Sequence, residues 1–424
     1  MNTTRPLEFA AFIGIDWADK KHDVCLQSAG SERIEHQILK HTPEAIDEWA
    51  GGLLERFGGR PVAVCLELAR GPIVSALQKY DFFVLFPVHP STLAKYRQTW
   101  SPSGKKDDLT DALLALEIVT KHREKLIELR PQSPNMRALQ QLVEDRRKLV
   151  DDRVRITNRI TAALKSCFPQ VLQWFPDKGT KIFCDFIERW SSAQLASAAR
   201  RDTLRAFFVE HNVRSPARIE QRIEAIKTAV PLTTDPGVVL PASLRVQTLV
   251  AQLRPLLAAI AQYDARIAEL CAALTDYRIF ASLPGAAEAF APRLLCAFGE
   301  DRDRYRDAKD LQRYAGVAPV TERSGNSHWV HWRFSCPTFL RQTFVEWAAQ
   351  TVPRSFWAGA FYAQQRARGA SHQAALRALA FKWIRILFRC WQDRTLYDES
   401  KYLKALQRRH APLLHSPANS TAQP

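Results

Sequence analysis

Four acidic residues and one serine stand where their types and spacing could support chemistry. Asp16 closes the apolar run Phe12-Ile13-Gly14-Ile15, and Glu67 closes the run from Val62 to Leu66. A charge at the end of a buried strand is costly unless it is paired or bound to a cation. Asp108 and Asp111 lie where the basic loop Ser101-Pro102-Ser103-Gly104-Lys105-Lys106 meets the apolar stretch Ala112-Leu113-Leu114-Ala115-Leu116. On a helix their spacing puts both carboxylates on one face, with small Ala112 and Ala115 leaving room around them. Two such acids repel unless a cation sits between them, and hard oxygen ligands suit Mg²⁺, or equally Mn²⁺. Taken alone, each Asp is also an ordinary N-cap or first-turn residue. The order strand-Asp, strand-Glu, helix-Asp-x-x-Asp is what favours the metal reading. Four convergent carboxylates are what a two-metal phosphodiester site needs, with metals about 3.5–4 Å apart polarising the phosphate and steadying the entering and leaving oxygens.

The serine lies in Thr321-Glu-Arg-Ser324-Gly325-Asn-Ser327, flanked by Arg323, His328, His331 and Arg333. Serine beside glycine is sterically open, and nearby cations favour both an attacking alkoxide and a phosphate. In isolation, a loop serine is usually a turn residue.

The elements that must position these groups follow from patterning. Phe12 to Asp16, His22 to Gln27 and Arg33 to Leu39 read as an opening meander of strands. Pro43 to Phe57 is a helix ending at Gly58-Gly59, Pro61 to Glu67 a buried strand, Gly71 to Tyr80 a helix and Phe82 to Val88 a further strand. Strands that begin to alternate with helices argue for a mixed α/β sheet. Sugar kinases and actin-like ATPases also open with Gly-Ile-Asp but need glycine next, whereas Trp17-Ala18 here block close approach of backbone to phosphate.

Arg137 to Phe168 and Leu244 to Leu274 carry long helical periodicity on either side of a mixed insert, 171–241, whose role the sequence leaves open. Two long helices flanking an insert suggest an antiparallel coiled-coil arm or a dimerisation helix. The first is crowded with base, including Arg146, Arg147, Arg153 and Arg159, against Glu144, Asp145, Asp151 and Asp152. A solvated, charge-balanced face and a nucleic-acid backbone contact both fit that pattern. Further on, Phe280-Ala-Ser-Leu-Pro-Gly285 looks like a helix-hairpin-helix remnant whose second glycine is Ala286 or Ala287, so turn chemistry competes there with phosphate approach.

At 424 residues the chain is long for one core, which predicts two or three domains. A net charge of +16 and a pI of about 9.6 favour a polyanionic partner, nucleic acid before anionic membrane. No apolar run is long enough to span a bilayer, and Arg5, Glu8 and then a strand are the wrong order for a signal peptide. The 8 cysteines are scattered without a CxxC pair, which argues against zinc or a disulfide framework and for a reducing, cytoplasmic setting.

The pattern Gly14-Ile-Asp16, Leu66-Glu67, Lys106-Asp-Asp108-Leu-Thr-Asp111-Ala resembles the DEDD transposases of the insertion-sequence one-ten family, relatives of the pilin-gene invertases. Tyr314-Ala-Gly316-Val-Ala-Pro319 followed by the Ser-Gly loop is similar to that family's C-terminal transposase domain. The resemblance implies an RNase H-type, RuvC-like α/β domain at 9–125 and a long-helix, coiled-coil connector with an insert at 126–275. It implies an all-α C-terminal domain at 276–405, before a disordered tail at 406–424. It makes Asp16, Glu67, Asp108 and Asp111 the metal-binding tetrad, with Asp107 standing where the family usually has Thr. It makes Ser324 the nucleophile, with Ser327 as the alternative. Expected partners are donor and target double-stranded DNA, a structured guide ("bridge") RNA and further copies of the chain, as dimer or tetramer, in a nucleoid-associated cytoplasmic protein. Lys105, Lys106, Arg146, Arg147, Arg153, Arg159, Arg323, Arg333, Lys382 and Arg385 are the expected nucleic-acid contacts. One departure is Arg333-Phe-Ser-Cys-Pro337, where the family usually has a more basic run; Pro337 is expected to restart a helix. The rival expectations are a junction-resolvase-like nuclease in which the acids alone act on water, and an inactive nucleic-acid-binding protein.

Overall fold

The computed structural model describes residues 8–67, 69–100 and 108–408, and for Thr99, Trp100 and Asp108 the backbone alone. The chain divides into two compact units, Met1–Pro131 and Gln132–Pro424.

In the first unit, short and largely apolar runs build a five-stranded sheet. Its strands are β1 (Ala11–Asp16), β2 (Lys21–Ser28), β3 (Ile34–Lys40), β4 (Val62–Leu66) and β5 (Phe83–Pro87), in the order β3-β2-β1-β4-β5. β2 pairs antiparallel with both β1 and β3, while β1–β4 and β4–β5 are parallel. This is the mixed α/β sheet expected. Both faces are covered, so central β4 reads as the continuous apolar run Val-Ala-Val-Cys-Leu. On one face Ile13, Ile15, Val24, Val64 and Leu66 pack against α1 (Pro43–Phe57) and α2 (Pro72–Leu77). On the other, Phe12, Cys25, Ala63, Cys65 and Phe86 pack against α3 (Pro90–Trp100) and α4 (Asp108–Lys121). α1 is closed by its sequence signals: Thr42 caps the N-terminus ahead of Pro43, and Gly58 turns out of the helix at φ 59°.

The second unit is helical apart from one hairpin among its described residues. α5 (Pro134–Cys167) and α11 (Pro236–Ala273) lie antiparallel, since Arg146 meets Asp264 at one end while Ile160 and Leu164 share a core with Leu249 and Leu253 at the other. Both begin earlier than periodicity alone predicts. Ser133 and Asp235 cap them and Pro134 and Pro236 take the first helical position, while Pro241 and Pro255 are carried inside α11.

The insert is a helical subdomain of α6 (Val171–Trp174), α7 (Lys181–Arg189), α8 (Ala193–Ala198), α9 (Arg201–Glu210) and α10 (Pro216–Lys227). Its core holds Phe168, Trp174, Phe183, Phe186, Phe207 and Phe208. At the far end of the helix pair a second core joins Met136, Leu139, Val143 and Ile267 to the C-terminal elements. These are α12 (Tyr277–Ala281), α13 (Ala287–Phe298), α14 (Ala308–Tyr314), β6 (Val320–Ser324), β7 (Ser327–His331), α15 (Thr338–Thr351), α16 (Phe356–Ala367), α17 (His372–Gln392) and α18 (Glu399–Arg408). Trp347, Trp357, Trp383 and Trp391 fill it, and each indole N–H finds an acceptor: Pro284 O, Tyr397 Oη, Thr351 Oγ1 and Gly299 O respectively. The disordered tail expected from 406 is corrected at its start, since residues 406–408 are the last of α18 and Leu406 is buried; the rest of it lies outside the described residues.

Candidate functional site

Strand alternation decides where the acids point. Ile13 and Ile15 face α1 and α2, so Gly14 and Asp16 face α4. Cys65 lies in the α4-side core, and Glu67 follows the last residue of β4, where continued alternation would set it on the same side. The register pairs Ile15 with Leu66 in parallel, which sets Asp16 and Glu67 next to each other at the carboxyl ends of β1 and β4.

Gly14 fixes the helix above them. A Cβ at Gly14 would lie 2.1 Å from the Ala112 carbonyl oxygen and 2.3 Å from the Leu116 nitrogen, both backbone atoms. Only glycine lets α4 sit this close to β1. Asp111, the neighbour of Ala112, is thereby carried to the same face of the sheet, where its side chain is 3% exposed. Asp108 opens α4. Its side chain, like Asp107, Lys105 and Lys106, lies outside the described residues.

Three side chains missed by sequence reasoning complete this face and its edge. Arg97 of α3 donates through Nε to Asp111 Oδ1 at 2.7 Å, and Nη2 contacts the same oxygen. Asp23 is the antiparallel partner of Asp16, is buried, and accepts from His36 Nε2 at 2.9 Å. It could have been found from the alternation that sets it two residues before Cys25; nothing local marks Arg97. On the opposite face His22 accepts the Ala18 N–H at Nδ1, so its Nε2 donates to His41 Nδ1 at 2.9 Å. Burial first, and then His41, push His22 down to about 4. Neutral at ordinary pH, it pins the turn that follows Asp16.

The donor set fits a hard divalent cation in kind, since the three described acids offer only carboxylate oxygen. Among the described residues no three acidic, histidine or cysteine groups converge closely enough to hold one.

The serines lie at the tip of the β6–β7 ribbon rather than in an irregular loop. Ser324 ends β6, Ser327 begins β7, and the two are paired across the Gly325-Asn326 turn. Gly325 takes φ 54° at the first turn position, a conformation that favours glycine in two-residue hairpins. The ribbon is exposed at almost every residue. Its base is held instead. Gly316, at φ 69°, approaches Cys336 so closely that a Cβ would meet Sγ at 2.2 Å and Cβ at 2.6 Å. The guanidinium groups of Arg341 and Arg377 lie over the Trp332 ring, at 4.6 and 4.0 Å from its centroid. Within the ribbon Glu322 accepts from Trp329 Nε1 at 3.0 Å and pairs with His331 at 2.7 Å. That hydrogen bond, helped by the Trp332 carbonyl, raises His331 above its usual value.

The basic residues divide by engagement. Arg159, Arg323 and Arg385 are exposed and Arg153 is half-buried. Arg146 is paired with Asp264, and Arg147 with Asp151 and Glu346. Lys382 lies over the rings of Trp357 and Phe361, and burial, then Arg385, lower its pKa. Arg333 is half-buried, and its carbonyl accepts from Arg341. Gly285 packs within 2.9 Å of Gln350 once a Cβ is added, so the helix-hairpin-helix remnant uses its glycine for helix packing.

Two transposase descriptions match the chain. A DEDD transposase family of IS110 type matches residues 13–169, spanning all four acids, and the transposase IS116/IS110/IS902 family matches residues 277–364, spanning the ribbon. The chain is thus a transposase of an insertion element. A Streptomyces coelicolor protein ascribed to IS117 as its mini-circle transposase is 28% identical over 428 residues, covering 96% of this chain and 98% of its own. Insertion-element proteins of IS110 from Streptomyces coelicolor and of IS116 from Streptomyces clavuligerus are 27% and 28% identical, over 70% and 61% of this chain and 73% and 64% of theirs. This chain belongs to the IS110 family of DEDD transposases.

Proposed function

We propose that this transposase cuts and rejoins DNA at specific sites through a serine-linked intermediate, using Asp16, Glu67, Asp108 and Asp111 to hold Mg²⁺ or Mn²⁺ and Ser324 as nucleophile. The observation that carries the reading is that Asp16 and Glu67 stand at the adjacent carboxyl ends of β1 and β4, while Gly14 lets α4, which bears Asp111, pack directly onto β1. Bound metal would polarise a phosphate and neutralise charge developing on its oxygens. Ser324 Oγ forms a bond to phosphorus, one ester bond from phosphorus to a deoxyribose oxygen breaks, and the serine proton passes to that leaving hydroxyl. Attack by a hydroxyl from another DNA end reverses these changes and frees the serine. Exposure of the ribbon tip supports Ser324, and Ser327 opposite it is the alternative.

Exposed Arg159, Arg323 and Arg385 would contact DNA backbone, as would Lys105 and Lys106 ahead of α4. The positive charge of the chain supports a guide RNA as a second polyanion, and the long α5–α11 pair supports assembly of several copies. We assign 9–125 to the metal-binding domain, 126–275 to the connector and 276–405 to the serine domain.

The test is covalent capture. The full chain is incubated with its element's flanking DNA, that region's RNA and Mg²⁺, then denatured and nuclease-treated, and its peptides are weighed. A nucleotide-bearing Ser324 peptide is expected, absent in Ser324→Ala and reduced at least about a hundredfold in Glu67→Gln. Metal-dependent cleavage without an adduct would replace this reading with a hydrolytic nuclease. Binding without cleavage would replace it with an inactive nucleic-acid-binding protein.

A further inference from the structure

Asp111 is the most enclosed of the described acids on the α4 face, and its charge is already answered. Its side chain is 3% exposed and that of Arg97 is 16% exposed. Arg97 gives two nitrogens, Nε at 2.7 Å and Nη2, to the single oxygen Oδ1. A carboxylate this buried needs a counter-charge, and removing one leaves an uncompensated ion. Arginine suits the place because it stays charged when desolvated and its planar fork fixes the carboxylate's orientation.

A small divalent cation would bind a carboxylate oxygen at about 2.0–2.1 Å, with near-octahedral demands on the space around it. Two guanidinium donors on Oδ1 stand in the same space and carry the same sign of charge. The two cations therefore compete for Oδ1 of Asp111.

We infer that Arg97 is a positioning residue that acts through Asp111: it holds this carboxylate as a resident counter-ion and must withdraw for a divalent cation to take that oxygen. The inference rests on the proposed tetrad. It gives Arg97 two opposed effects: it keeps Asp111 oriented and α3 tied to α4 before metal arrives, and it weakens the metal's apparent affinity by competing with it. Arg97 has a water-accessible edge that lets it leave, whereas Asp111, held by α4 against Gly14, stays where it is.

The sign of the effect separates this role from a structural one. Damage to the site by substitution would weaken metal binding, whereas loss of a competitor strengthens it. Mn²⁺ is titrated into the full chain and free Mn²⁺ is followed by electron paramagnetic resonance, with thermal unfolding recorded with and without metal. Arg97→Gln is expected to bind Mn²⁺ roughly tenfold more tightly than the wild type, the size of an ordinary coupling between two ligands. It is also expected to unfold at lower temperature without metal and to regain more of that loss on adding Mn²⁺. Arg97→Lys keeps one cation beside Asp111 without the fork, guards against a Gln variant that fails to fold, and is expected to fall between the two. Unchanged or weaker Mn²⁺ binding in the Arg97 variants, with Glu67→Gln still losing it, would overturn the role of Arg97 alone. If Glu67→Gln binds Mn²⁺ as the wild type does, the tetrad reading falls, and this inference with it.

Discussion

The two regions to which we assign the chemistry are built in opposite ways. The acids stand on a sheet covered on both faces, with α4 pressed against β1 at backbone contact over Gly14 and Asp111 almost wholly enclosed. The serines stand at the end of an exposed two-stranded ribbon held at its base, by Gly316 against Cys336 and by two arginines over Trp332. Acids proposed to hold a metal would need a steady scaffold, and core packing supplies one beneath them. A nucleophile that bonds to DNA and is later released needs access, and a two-stranded ribbon is marginally stable unless something else supports it. The acid-bearing side of the sheet is thus packed in advance, and the ribbon is free to be ordered by what it touches.

The contrast can be broken by substitution. The largest effect is expected at Gly14→Ala, where the new methyl meets backbone atoms that no side-chain rotation can move. Unit 1 should lose about 3 kcal/mol or more, read from its denaturant midpoint. A loss under about 1 kcal/mol would show that α4 is not locked onto β1. Gly316→Ala comes next, at about 2 kcal/mol, because the thiol of Cys336 can turn aside although its Cβ cannot and the positive φ disfavours alanine.

The smallest effect is a pH response of the ribbon. His331 is raised and Glu322 lowered by their mutual hydrogen bond. A raised histidine supports the folded ribbon below its unfolded value of 6.5, and that support fades as pH rises through the folded value. A lowered glutamate supports it above 4.5, and that support fades as pH falls through its own folded value. Amide-exchange protection in residues 320–331, relative to the unfolded chain at the same pH, should therefore be greatest between about pH 4.5 and 6.5. Protection that is flat with pH would show that the Glu322–His331 pair does not support the ribbon.

Much of this was legible in the sequence because its causes are local. Strand alternation and the Pro, Gly and Thr signals around α1 give the sheet and its first helix, and the acids fall at strand ends by the same count. What stayed hidden depends on partners distant in sequence. Gly14 needs α4, Arg97 needs Asp111, and Gly316 needs Cys336, and none of these is announced by its neighbours. The insert was unreadable for another reason: its five helices are short, so none shows a long periodicity, and its aromatic core forms only when they meet. The serine turn was read as a loop because its ribbon is exposed on both faces and lacks the apolar alternation that marks a strand.

The α5–α11 pair has a consequence of its own. It holds two cores apart, with Val143 in one and Ile160 in the other, a separation of about 25 Å along the axis at 1.5 Å per residue. Such a pair is a gauge with a fixed graduation. Adding seven residues to both helices would lengthen it by about 10.5 Å, close to three base pairs of duplex. The same change would turn one core against the other by only about 20°. Reach and bearing can therefore be altered almost independently, so relatives with longer or shorter arms could span different lengths of nucleic acid while presenting the same surfaces to it.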